Sequence, residues 1–306
     1  MKKFVRDFAY VLILIFMGIY GIEILLNNVQ NEYSYKHKYL QEHKDDISIL
    51  ILGHSHTAWG VNPHLLDSAF NAAIAARPLY YDAKLAEKWI PNMKNLKVLI
   101  ISHGYDFPWG FFNLHYWEDE WKKNTVYMHY KYMGIPFIET SNDYLLHTAL
   151  FSNHFAKESL HNEEMGIETY DNLGYIWHGK AIHQGEDWYN DDIVHINNIG
   201  ADSLYKYVQE YIMYLTEIAK ICAENNVRLI AITTPCYESY LELTNKVGMQ
   251  TLYDIIDSIR ENYPIEYYNY LSDPEFRADS FYYDCSHLNY IGAEHFTKRL
   301  KEDLGL

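Results

Sequence analysis

Cysteine is scarce in this chain. Cys222, Cys236 and Cys285 are the only three, and they form neither an even set nor a Cys-x-x-Cys pair. A disulfide framework is therefore not what holds the protein together. Basic runs are missing as well. Lysine and arginine number 25 against 41 aspartates and glutamates, a formal net charge of −16. No stretch of cations is long enough to track a phosphate backbone, which argues against nucleic acid as a partner. Internal repeats and low-complexity segments are absent too. What remains is the composition of a folded protein, 49 % hydrophobic and 22 % charged over 306 residues, long enough for one large or two small domains. Thirty tyrosines lift the aromatic share to 16 % and predict a polar-edged aromatic surface.

The first residues point to a membrane. Lys2, Lys3 and Arg6 precede a stretch from Phe8 to Leu26 that is apolar apart from Tyr, Gly and Glu23. As a helix it spans roughly 30 Å, about a bilayer core. Basic residues ahead of it favour a cytoplasmic amino terminus. The exit, Glu23-Ile24-Leu25-Leu26-Asn27-Asn28, offers no small-residue cleavage site. The expectation is an uncleaved single-pass anchor over residues 1–27, a polar stalk over 28–46, and an extracytoplasmic domain over 47–306; a cleaved signal peptide is the alternative.

Within that domain, near-continuous apolar runs alternate with helical spacings. Ser48 to Gly53, Ser68 to Ile74, Lys97 to Ser102, Val227 to Thr233 and Glu266 to Leu271 read as five strands. Between and after them, Tyr81 to Trp89, Ala201 to Asn225, Glu238 to Asn262 and Ile291 to Leu304 read as helices. Such a series predicts an α/β fold with a five-stranded parallel sheet covered on both faces. From about 105 to 200 the alternation breaks down, and five tryptophans (Trp109, Trp117, Trp121, Trp177, Trp188) collect there. This stretch reads as an insertion over the carboxyl edge of the sheet. Its aromatic rings suit either a sugar platform or a small core of its own.

Two short motifs carry chemistry. Gly53-His54-Ser55 ends the first strand, and ligands gather beyond the carboxyl ends of strands in open α/β sheets. A serine hydroxyl is a weak nucleophile that needs an imidazole within reach, itself oriented by a carboxylate. Asp284-Cys285-Ser286-His287, before the last helix, supplies both, with His287 as base and Asp284 as orienter. Cys285, lying between them, reads as packing. His54, His56, His64 and His103 raise the question of a metal, but no His-Glu-x-x-His or comparable spacing is present. No metal or cofactor enters this reading, and His54, His56, His103 and Arg77 are expected to line the cleft and contact substrate.

Gly53-His54-Ser55 after strand one, with Asp284-x-x-His287 before the final helix, resembles the SGNH (GDSL-type) hydrolase superfamily, and the order of elements matches from about Ser48 to Leu304. The resemblance implies a flavodoxin-like three-layer α/β/α sandwich and cofactor-free acyl-ester chemistry at Ser55, His287 and Asp284. The chain is most similar to membrane-tethered members that work in polysaccharide O-acetylation and teichoic-acid D-alanylation. Their likeness implies a cell-envelope glycan or acyl donor as substrate, and a membrane acyltransferase as partner. Three positions depart from the family pattern. His54 replaces the usual Asp before the serine. The oxyanion glycine after strand two would fall near Ala76, whose backbone N–H can serve equally. The Asn after strand three has no counterpart in His103-Gly104-Tyr105-Asp106, so Tyr105 or the insertion would have to donate. A catalytically silent glycan-binding or assembly protein is the rival expectation.

Overall fold

In the computed structural model, residues 2–27, 32–75, 77–105, 170–177, 179, 201–244 and 246–306 are described. The expected insertion therefore falls almost wholly outside the described residues, as do Ala76 and Asp106. The chain divides into two compact units, Met1–Tyr35 with Asp119–Ile167, and Lys36–Glu118 with Glu168–Leu306. Of the first unit, the described part is helix α1 (Lys2–Asn27) and the start of α2 (Glu32–His43). From Lys2 to Gly21 the α1 helix is long and apolar enough to cross a membrane, and its apolar side chains stand exposed.

The second unit is an open α/β sheet. Its strands β1 (Ile49–Leu52), β2 (Ala69–Asn71), β3 (Val98–Ser102), β4 (Arg228–Thr233) and β5 (Glu266–Asn269) lie in the order 2-1-3-4-5. Every pairing is parallel, with Ile49 opposite Val98 and Val98 opposite Arg228. That strand order is the flavodoxin-like one, with its switch point between β1 and β3. The central strands read Ile-Leu-Ile-Leu and Val-Leu-Ile-Ile-Ser and are buried throughout, because helices cover both of their faces. Edge strand β5, Glu-Tyr-Tyr-Asn, is only half-buried.

Around the sheet run α3 (Ser55–Gly60), α4 (Leu79–Trp89), α5 (Ala201–Glu224), α6 (Glu238–Leu243), α7 (Lys246–Arg260) and α8 (Tyr290–Leu304). The α5 helix packs against both α4 and α7, and α8 packs against α3. Right-handed crossovers account for this division: the one step from β1 to β2 runs opposite to the other three, so its helix lies on the other face.

Two expectations change. The stalk was to run to residue 46, but from Lys36 onward the chain packs on the sheet. Leu40 is buried, and the Tyr39 ring stacks on Phe70 at 4.2 Å and 5°. Burial of these side chains outweighs the polar look of Glu32–His43. The single helix expected from Glu238 to Asn262 is two helices. Thr244 is extended, its N–H returning to the Leu241 carbonyl, and Gly248 in α7 then lets the Tyr105 ring approach so closely that a Cβ would stand 2.6 Å from it.

Candidate active site

Just beyond β1 the backbone turns sharply. Gly53 has φ +118°, and a Cβ there would lie 2.1 Å from Ser102 Oγ and 2.7 Å from Thr57 Oγ1. Only glycine fits both the torsion and the space. Each peptide group of the turn has a partner. The Gly53 N–H donates to Asp82 Oδ1 at 3.2 Å, and its carbonyl accepts the Ile74 N–H. The His54 N–H donates to Ser102 Oγ, while its carbonyl accepts the N–H groups of Thr57 and Ala58. Ser55 and His56 follow as the first two residues of α3, and their N–H groups meet no acceptor among the described residues.

Further along, the chain from Tyr282 to Leu288 makes a tight loop closed by an antiparallel bridge between those two residues. Asn289 fastens it. Its Oδ1 caps α8 by accepting the N–H groups of Ile291 and Gly292, and its Nδ2 donates to the carbonyls of Ser280 and Tyr282. The loop delivers His287 to the turn that carries Ser55. His287 Nε2 lies 2.8 Å from Ser55 Oγ, and Nδ1 lies 2.8 Å and 3.0 Å from the two oxygens of Asp284. With its proton on Nδ1, the imidazole donates to Asp284 and accepts from Ser55, which satisfies both contacts.

Asp284 is held as a carboxylate. Burial pushes its pKa up, but the charge and hydrogen bond of His287 and the N–H groups of Ser286 and His287 overcome that and bring it down to about 2. The Ser286 hydroxyl lies 3.0 Å from both Asp284 Oδ1 and His287 Nδ1. Two rings pack on the imidazole, Trp59 at 4.2 Å and His56 at 4.9 Å. His287 keeps 17 % of its side chain exposed and Ser55 is 7 % exposed, so the pair is within reach of solvent.

The remaining expected site residues take other places. His54 is fully buried under the turn, and burial, then the nearby His287 and Arg77 charges, lower its pKa to about 3. His56 is 6 % exposed, its pKa pushed well below the usual histidine range by burial and by His54 and His287. Both are neutral supports of the turn. His103 does not line the cleft: its ring is fully buried between the Tyr211 hydroxyl at 2.8 Å and the Leu252 carbonyl at 3.1 Å. Arg77 is 1 % exposed and bonded to Asp82, so its charge is spent inside the protein. Tyr105 is buried in the core beside Gly248. Ala76 lies outside the described residues. Cys285 is a buried, free thiol within that core.

The structure adds residues that sequence reasoning did not single out. Asp82, in the first turn of α4, holds Gly53 and Arg77 together. Asn71, fully buried at the end of β2, donates to the carbonyls of Thr57 and Val61 and accepts the Ala73 N–H, tying β2 to the far end of α3. The signal for Asn71 was a polar side chain closing an apolar strand; for Asp82 it was a carboxylate five residues after Arg77.

The fold and this site define an open α/β protein with serine, histidine and aspartate in hydrogen-bonded series past the carboxyl end of β1. No protein-family model matches the chain, and no curated protein matches it in sequence. Among solved structures it is similar to a GDSL-like lipase from Bacteroides thetaiotaomicron, at 10 % identity and a TM-score of 0.43, over 90 % of this chain and 98 % of that one. At that level the likeness carries no residue roles to this chain.

Proposed function

We propose that this protein is an SGNH-type serine esterase or O-acyltransferase, held at the cell membrane by α1 with its α/β unit on the extracytoplasmic side. Its substrates would be acyl esters of cell-envelope polysaccharide. The observation that carries the reading is the Ser55–His287–Asp284 series, with contacts of 2.8 Å on both sides of the imidazole.

As a catalytic triad it works as follows. His287 Nε2 takes the Ser55 proton as Oγ bonds to the acyl carbonyl carbon, and Asp284 stabilises the imidazolium that forms. The carbonyl oxygen becomes an oxyanion, for which the Ser55 N–H, unbonded among the described residues, is a backbone donor beside the attacking Oγ. Collapse of the tetrahedral species breaks the ester C–O bond, and His287 returns the proton to the departing alcohol. Water or a sugar hydroxyl then attacks the acyl-enzyme by the same steps in reverse. No metal or cofactor is needed for any of these transfers. The apolar helix α1 ahead of the α/β unit supports the membrane assignment, and a membrane acyltransferase that hands over the acyl group is the partner this role calls for.

A fluorophosphonate probe, which reacts with activated serines, tests the reading directly. Labelling of the wild-type protein at Ser55, lost in Ser55→Ala, is the expected result. An unlabelled wild type, beside a labelled serine esterase as control, removes the enzyme assignment.

A further inference from the structure

Beside the serine site a second feature stands out. Trp177 is 53 % exposed, the most exposed aromatic side chain among the described residues of the α/β unit. An indole left in water is unusual in itself, and here the backbone that presents it is tightly built. Asp171 Oδ1 accepts the N–H groups of Leu173 and Tyr175, and Tyr170 bridges to Ile176. Gly174, at φ +77°, presses on Asn71, where a Cβ would come within 2.2 Å of the carbonyl oxygen. Tyr175 and Ile176 are fully buried. This anchored segment presents an indole whose ring meets the buried Tyr175 edge-on at 5.8 Å and keeps about half of its surface in water.

Its neighbours connect it to the site. The Trp177 ring lies 5.8 Å from Tyr290, tilted by 34°, and Tyr290 opens α8 three residues after His287. The Tyr175 hydroxyl donates to the carbonyl of Trp59, whose ring packs on the His287 imidazole. From these contacts we propose that Trp177 and Tyr290 form a stacking platform for an uncharged pyranose ring of the substrate, alongside the serine site. The proposal rests on the esterase reading and names its substrate class.

The chemistry of the surroundings selects the ring. An aromatic face meets the C–H face of a pyranose as it meets any apolar surface, while the sugar hydroxyls need polar neighbours at the rim. Asp171 and Glu294 supply these, and with burial they raise the Tyr175 phenol well above its usual range. Asp171 lies 2.7 Å from the His64 ring, and Lys298 stands beside Glu294 as its counter-ion. Beside these two carboxylates a uronate or phosphate would meet like charge. A long acyl chain is also a poor fit, because it would leave the rim carboxylates facing hydrocarbon.

The test is titration calorimetry of the full-length protein in detergent. The probes are tetramers of β-1,4-linked N-acetylglucosamine, of β-1,4-linked glucose, and of galacturonate. At least one neutral tetramer is expected to bind, about tenfold more weakly in Trp177→Ala, with most of the affinity kept in Trp177→Phe. Galacturonate should bind more weakly than the neutral sugar. Binding of neither neutral tetramer, equal binding by Trp177→Ala, or tighter binding of galacturonate would overturn the proposal. Fluorophosphonate labelling of the same preparation keeps the two readings apart. A labelled protein that ignores sugars is an esterase without this platform, and an unlabelled one that binds through Trp177 has the platform without the enzyme.

Discussion

One oxygen of the Asp82 carboxylate, Oδ1, accepts both the N–H of Gly53 at 3.2 Å, two residues before the serine, and the guanidinium of Arg77. A fully buried ion pair is an expensive way to hold a turn, since desolvation cancels most of its attraction. Its value here is positional. Asp82 holds the Gly53 N–H while the Ile74 N–H holds the Gly53 carbonyl, so the peptides on both sides of Gly53 are pinned ahead of Ser55. Arg77 brings the loop after β2 into the same arrangement, with its own N–H returned to the Ile74 carbonyl.

If the three residues act together, their substitutions will not add. Ser55→Ala should lower kcat for p-nitrophenyl acetate by about 10⁴-fold or more, His287→Ala by nearly as much, and the double variant by little further. Asp284→Ala should be milder, since its role is to orient and stabilise the imidazole. Burst kinetics on purified variants measure all four. Strictly additive losses in the double variant would mean that the two residues work separately.

The turn itself predicts a stability effect. Gly53→Ala places a methyl against Ser102 and strains a torsion of +118°, and should cost about 2–4 kcal/mol. Adding Ser102→Ala removes the 2.1 Å contact with Oγ but leaves Thr57 Oγ1 at 2.7 Å and the torsional strain, so it should recover only part of the loss. Urea unfolding of the two variants gives the comparison; full recovery would show that the torsion is cost-free.

Buried neutral histidines set a pH dependence. His54, with its pKa lowered to about 3, and His103, lowered to about 4, stay unprotonated in the folded protein. The unfolded chain takes up these protons near the ordinary value of 6.5. Below that value the unfolded state binds more protons, so stability rises with pH between about 3 and 6.5 and is lost as the solution is acidified through that window. Melting temperatures from pH 7 to pH 4 should fall, and fall less steeply in His103→Gln. Asp284 works in the opposite range: its carboxylate stays charged down to about pH 2, so its contribution should survive this whole acidification.

The anchor assignment makes a prediction of its own. The intact chain, expressed in a bacterial host, should stay with membranes through a high-salt wash. Protease added to spheroplasts should remove the α/β unit. Protection of that unit, with a periplasmic control digested, would reverse the orientation.

Much of this could be read in the sequence, and the parts that could not share a cause. Strands such as Ile49–Leu52 and Val98–Ser102 are unbroken apolar runs, so burial on two faces announces them. Ser55, Asp284 and His287 sit in short motifs at strand and helix ends, where chemistry and position coincide. By contrast, Asp82, Asn71 and Ser102 act through hydrogen bonds to backbone groups 10 to 48 positions away, and no local pattern records such partners. The half of α2 that packs on the sheet was equally hidden, because a long polar stretch there buries only Lys36 and Leu40. His103 and Arg77 were expected in the cleft because polar residues at strand ends usually face it; partners on neighbouring elements drew both inward.

Ser55 and His287 are 232 positions apart, and each is fixed by a different stretch of chain. Such distant contacts close late when a protein folds, since the intervening segments must be ordered first. On refolding, the ability to react with a serine-directed probe should therefore appear after most helical and sheet signal has returned. A nascent chain that ends before His287 carries Ser55 without its imidazole partner. If that pair is the catalytic one, such a chain would leave any ester it met untouched.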